Sequence, residues 1–97
     1  MPPPKRVKPN ERIKFSLTRH ERDLSLDRTF IGSELDSRLR LAVASGTRLV
    51  AGLTLDDIEE LAGFIAFEAN HCDDPKISRR LDSVYDRLDK LESLYTD

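Results

Sequence analysis

Ile77, Leu81, Val84, Leu88, Leu91 and Tyr95 recur at intervals of four, three, four, three and four residues. That spacing holds one narrow apolar stripe on one side of a helix, the seam of a coiled coil or of a tight antiparallel helix pair. Asp74-Pro75 opens the helix. The aspartate caps the first free amides, and proline is tolerated at the first helical position because its missing N–H would have no partner there. Asp86 and Lys90 add an i,i+4 ion pair. Continued to Tyr95, the helix would be about 30 Å long. A seam of this kind needs a partner, and that requirement constrains the rest of the chain.

The nearest partner is the segment just before it. Thr54 and Asp57 stand at capping-box spacing, and Leu53 with Ile58 can form a hydrophobic staple. Asp56, Asp57, Glu59 and Glu60 place negative charge at the positive end of the helix dipole. Leu55, Ile58, Leu61, Ala62, Ile65 and Ala69 form a broad apolar face, which Phe64 and Phe67 widen. This helix spans about sixteen residues, shorter than the one that follows. In an antiparallel hairpin the last turn or two of the second helix, around Leu91, Leu94 and Tyr95, would project beyond the first. Leu88, Leu91, Leu94 and Tyr95 are therefore the expected partner-binding residues.

Upstream, Ile13, Phe15 and Leu17 alternate with Lys14 and Ser16, the period of a half-buried strand. Thr18 and Glu21 repeat the capping-box spacing and open a helix to about Phe30, with Leu24, Phe30 and Ile31 on its inner face. Gly32-Ser33 breaks the chain, and Ser33 with Asp36 starts a short helix through Leu39. Leu39, Leu41 and Val43 then alternate with polar or small residues. Ala44-Ser45-Gly46 forms a turn, and Leu49, Ala51 and Leu53 alternate again, which reads as a β-hairpin. The expected fold is α+β, in the order β-α-α-β-β-α-α. A small three-stranded antiparallel sheet packs on helices, with a C-terminal antiparallel helical hairpin. Residues 1–12, with three consecutive prolines and four basic residues, form a disordered or extended basic tail, and 13–97 a single domain.

Hydrophobic residues make up 38% of the 97 residues and charged residues 35%. So much charge over so modest a core implies long solvated helices or a partner that completes the burial. Net charge is +4 over residues 1–23, +1 over 24–53 and −7 over 54–97. A lone cysteine rules out an internal disulfide, no apolar run approaches membrane-spanning length, and MPPPKRVKPNER lacks the apolar core of a signal peptide. A cytoplasmic setting, with no membrane partner, is the expectation.

EANHCDDP, residues 68–75, is the most chemical-looking stretch. Glu68 and His71 stand at i and i+3, the spacing by which one helix face presents both side chains to a metal. Further ligands from a facing helix are missing from the seam, and His71, Cys72 and Asp73 are consecutive rather than spaced as zinc ligands are. Each of these residues also has a structural use: His71 near a helix C-terminus, Cys72 in the corner, Asp73 and Asp74 before the next helix. Cys72 follows a helix C-terminus and precedes two acids, which disfavours a thiolate. Nucleophile elbows, P-loops and dinucleotide glycine patterns are absent, so no cofactor is expected.

Lys14, Arg38, Arg40 and Arg48 are expected to share the outer face of the sheet, with Lys5, Arg6 and Lys8 of the tail beside them. Such a face would bind phosphate through charge. Sparse aromatics and the acidic second half count against it. The expected function is a non-catalytic interaction or adaptor protein acting through the C-terminal helical hairpin, by self-association as a homodimer or on a larger protein. A nucleic-acid-associated regulator is the alternative. A metal protein or enzyme centred on residues 68–74 is the second alternative.

Overall fold

The computed structural model describes residues 3–96. Residues 1 and 2 of the expected tail and residue 97 of the expected domain lie outside the described residues. The elements run β1 (Lys5–Arg6), β2 (Ile13–Leu17), α1 (Arg19–Arg28), α2 (Ser33–Arg40), β3 (Val43–Ser45), β4 (Arg48–Leu53), α3 (Leu55–His71), α4 (Pro75–Ser93) and β5 (Tyr95–Thr96). The α+β architecture, the three-stranded antiparallel sheet and the C-terminal helical hairpin are as the sequence predicts.

The sheet has the order β2-β4-β3. Ile13, Phe15 and Leu17 lie opposite Leu53, Ala51 and Leu49, so the alternating residues of both strands bury one face. Gly46 has φ 61°, and Ser45 pairs with Arg48, leaving Gly46-Thr47 as a two-residue loop. Positive φ at the first loop position alone is the type II′ hairpin, whose twist matches that of the strands it joins.

Both capping boxes form. Thr18 accepts from the Glu21 amide while the Glu21 carboxylate takes the Thr18 amide. Thr54 and Asp57 do the same for α3. Asp74 accepts from the amides of Lys76 and Ile77, with Pro75 at the first helical position. The α4 seam buries Leu81, Val84 and Leu88 completely, in one core with Ile58, Leu61 and Ile65 of α3.

Three expectations differ. α2 continues to Arg40, because Leu35 and Leu39, one helical turn apart, both reach the core. Strand β3 is correspondingly short, and Leu41 and Val43, expected to alternate with Leu39 on one sheet face, are 74% and 69% exposed. Ser33 is the first helical residue of α2 and not its cap. Gly32 holds the cap position, with no side chain to offer.

The third difference is the N-terminal segment. Lys5–Arg6 pairs in parallel with Tyr95–Thr96, through Lys5 N to Leu94 O at 2.9 Å and Val7 N to Thr96 O at 2.8 Å. Val7 is buried in the core. The segment closes over the end of α4, the region expected to project bare. Val7→Ala is accordingly expected to cost about 1.5 kcal/mol, at roughly 0.8 kcal/mol per buried methylene. Thermal unfolding will show a drop of several degrees; an unchanged midpoint would mean the segment is free.

Candidate functional site

Leu88, expected to contact a partner, lies wholly inside the core. Leu91 and Tyr95 are half-buried against it. Leu94 stays 58% exposed, alone of the four. The end of α4 is thus largely covered from within the chain.

The larger apolar surface lies on α3. At 100° per residue, Gly63, Phe64, Phe67 and His71 fall on the side of the helix opposite Ile58, Leu61 and Ile65. Phe67 is 62% exposed and Phe64 half-buried. Phe30, expected on the inner face of α1, instead lies beyond that helix and is 90% exposed. Phe30, Gly63, Phe64 and Phe67, with Glu59 and Glu60 at one end, line a groove of about 470 Å³.

Local chemistry fixes both walls. Thr29 donates its hydroxyl to the Ser25 carbonyl, closing the last turn of α1. The chain then crosses to α2, and the Gly32 amide donates to Glu60 Oε2 at 2.7 Å. That bond gives the amide of the cap residue itself an acceptor from α3, and it ties the Phe30 wall to the Glu60 end of α3. A second tie lies deeper: Arg38 Nη1 meets Asp57 Oδ2 at 2.6 Å, linking α2 to the first turn of α3. Along the other wall, the His71 ring stacks on Phe67 with centroids 4.2 Å apart. His71 Nδ1 lies 2.8 Å from the Phe67 carbonyl. The groove floor is Gly63, where an added Cβ would meet nothing within 4 Å.

Glu60→Ala removes the anchor of the Phe30 wall. It is expected to cost about 1–2 kcal/mol, as a charge-assisted hydrogen bond at a helix start does when lost. Amide hydrogen exchange at residues 29–34 should rise. Exchange there equal to wild type would show that the wall is held by other contacts.

The residues of the expected metal pair have other partners. Glu68 Oε1 lies 3.6 Å from Arg28 Nη1, and His71 is turned back on its own helix. Arg28 Nη1 also lies 3.9 Å from Cys72 Sγ. Among the described residues, no group of three or more histidine, cysteine or acidic side chains is gathered for a metal.

The expected basic face is dispersed. Arg38 and Arg40 belong to α2, where Arg38 is held by Asp57 and Glu34, and Arg40 by Asp36 at 2.6 Å. Arg48 bonds the Ser16 hydroxyl on the neighbouring strand at 2.8 Å. Lys14 is exposed on β2, Lys5 and Arg6 lie in β1, and Lys8 is exposed beyond it. Arg40 leaves the sheet because α2 outlasts the expected strand start, and Arg38 lies in the part of α2 that the sequence already predicts to be helical.

Sequence reasoning placed Phe64 and Phe67 as extensions of the core face and passed over Gly63. The signal was present: the apolar residues of α3 span more of the helix than one packed face can use. No family model matches the chain, and neither a curated protein nor a solved structure shows significant similarity to it. No helix among the described residues is long and apolar enough to cross a membrane.

Proposed function

We propose that this chain is a non-catalytic protein-interaction module that works through its C-terminal helical hairpin, on the outer side of α3, in a cytoplasmic setting. One observation carries the reading: Phe30 at 90% exposure and Phe67 at 62% face a common groove. In a chain with 35% charged residues, that much clustered aromatic surface left in water is unfavourable for the isolated molecule. Burial of aromatic side chains is also the usual source of binding energy at protein interfaces.

The test is co-purification from the native host followed by mass spectrometry, comparing wild type with Phe30→Ser/Phe67→Ser. Both side chains are exposed, so the double variant should unfold within about 0.5 kcal/mol of wild type. Wild type should retain a stoichiometric protein partner, itself or another chain, that the variant loses. A partner held equally by both proteins would overturn the reading.

A further inference from the structure

We infer that the α3 groove takes an amphipathic helix of a partner protein, with large apolar side chains on its middle turns and Lys or Arg at both ends. This rests on the reading of the outer side of α3 as an interaction surface, and it gives the chemistry of what docks there. Acidic, apolar and again acidic surface succeed one another along α3.

The apolar section is short. Glu60 to Phe67 covers seven residues, about 10 Å at the helical rise, or two turns. Phe30, Phe64 and Phe67 wall it, and at Gly63 the floor carries no side chain. An incoming apolar side chain can seat there against the backbone of α3. A helix laid along the groove fills it as the side-chain ridges of one helix fill the grooves of another.

Both ends of that section are acidic. Asp56, Glu59 and Glu60 stand at the N-terminal end, and Asp73 and Asp74 follow the C-terminal end. Asp56 and Asp73 are exposed. Glu60 accepts from the Gly32 amide, and Asp74 from the amides of Lys76 and Ile77. Those donors are neutral, so both carboxylates keep their charge. The two arginines at the rim are paired within the chain, Arg28 with Glu68 and Arg38 with Asp57. Lys76, Arg79 and Arg80 follow on α4, which packs on the opposite side of α3. Glu59 also lines a second groove, of about 260 Å³, with Asp89 and Glu92 of α4. At that end the aromatic groove therefore adjoins a further acidic recess, within reach of a long basic side chain.

From Asp56 to the end of α3 is about 22 Å. Acid, apolar and acid over that length are the complement of a helix of about 15 residues that carries base, apolar and base. Nucleic acid or an anionic lipid surface would meet like charge at both ends. A second copy of the chain would bring acids to acids.

The test is fluorescence anisotropy of three labelled helical peptides, each about 16 residues long, against the full chain. All share one leucine face over the middle turns, and the end turns carry lysine, glutamine or glutamate. The lysine peptide should bind at least about tenfold tighter than the glutamate peptide, with the glutamine peptide between them, and the margin should shrink several-fold from about 0.05 to 0.5 M salt. Phe30→Ser/Phe67→Ser should lose the lysine peptide without a change in melting temperature. Asp56→Lys/Asp73→Lys should turn the preference towards the glutamate peptide, a result that a misfolded variant cannot give. Equal binding of the three peptides, or no binding of the lysine peptide at millimolar concentration, overturns the basic partner. The module reading survives that result if a native partner is still retained in the co-purification. Sedimentation of the chain alone reports the competing occupant: self-association abolished by Phe30→Ser/Phe67→Ser would put a second copy in the groove and overturn the inference.

Discussion

Leu88→Ala is expected to destabilise the protein by about 3–5 kcal/mol. Leu88 is fully buried in the α4 seam, between Val84 and the half-buried Leu91, against the apolar face of α3. Truncation loses the transfer free energy of the removed atoms and leaves a cavity that two helices joined by three residues cannot easily close. A chain of this length has a total stability of roughly 5–15 kcal/mol, so a large share would go. Leu94→Ala, at 58% exposure, should stay within about 0.5 kcal/mol. Urea unfolding measures both: the Leu88 variant should shift the midpoint without changing the slope. A cost below about 1 kcal/mol would mean that the seam does not face the core. Leu88 has the heptad spacing of an intermolecular contact, and the hairpin has used it internally.

Glu21→Ala is the second large effect, about 2–4 kcal/mol at neutral pH, from the loss of a charge-assisted pair and of a cap. The Glu21 side chain is 9% exposed and receives Arg87 from α4. It also accepts the Thr18 amide at 2.8 Å. Arg87 additionally donates to the Ser16 carbonyl at 3.1 Å and lies over the Phe15 ring. One carboxylate therefore joins α1, α4 and the end of β2. Arg48 stands 3.9 Å from Glu21 and is 42% exposed, so water screens most of its share.

The pH dependence follows from the same contacts. Burial alone pushes the Glu21 carboxyl up, but the Arg87 hydrogen bond, the Thr18 amide and the charges of Arg87 and Arg48 outweigh it and hold it below the usual glutamate range. The folded value is thus lower than the unfolded one. The stabilisation is fully present above the unfolded glutamate range and is lost as pH falls through the depressed folded value. Urea midpoints taken downward from neutral pH should fall through that window. Glu21→Gln, which keeps capping-box geometry but no charge, should flatten the fall. An equally steep fall in the glutamine variant would place the acid sensitivity elsewhere.

How much of this could be read in advance depended on range along the chain. The caps at Thr18, Thr54 and Asp74 and the alternation of Ile13, Phe15 and Leu17 involve residues at most three or four apart, and each forms. The stretch from Leu39 to Val43 fits a helix end and a strand equally well. It was settled by Leu35 and Leu39 reaching the core together. Phe30 follows a helix that ends at Arg28, where Thr29 turns back to Ser25, so the helical periodicity that points its side chain inward stops before it. The aromatic groove was half legible, as an excess of apolar residues on α3. Its other wall was not, because Phe30 reaches it through a bond between Gly32 and Glu60, 28 positions apart.

By itself the sequence determined where β2, α1, α3 and α4 begin, that α3 and α4 pair, and that the chain is α+β. Those features arise from hydrogen bonds and periodicity acting within a few residues. The broad face of α3 from Leu55 to Ala69 is inside as the sequence predicts, and only the tertiary structure decided that Phe67, expected to widen that face, is left in water. The side carrying Ile58, Leu61 and Ile65 meets the α4 seam, and the side carrying Gly63 and Phe67 is left facing water. It also decided that residues 5–7 close over 94–96, a pairing of chain ends that no local pattern encodes. Burial rewards the arrangement that removes most apolar area from water across the whole chain, so the face left over is known only once every other face has been placed.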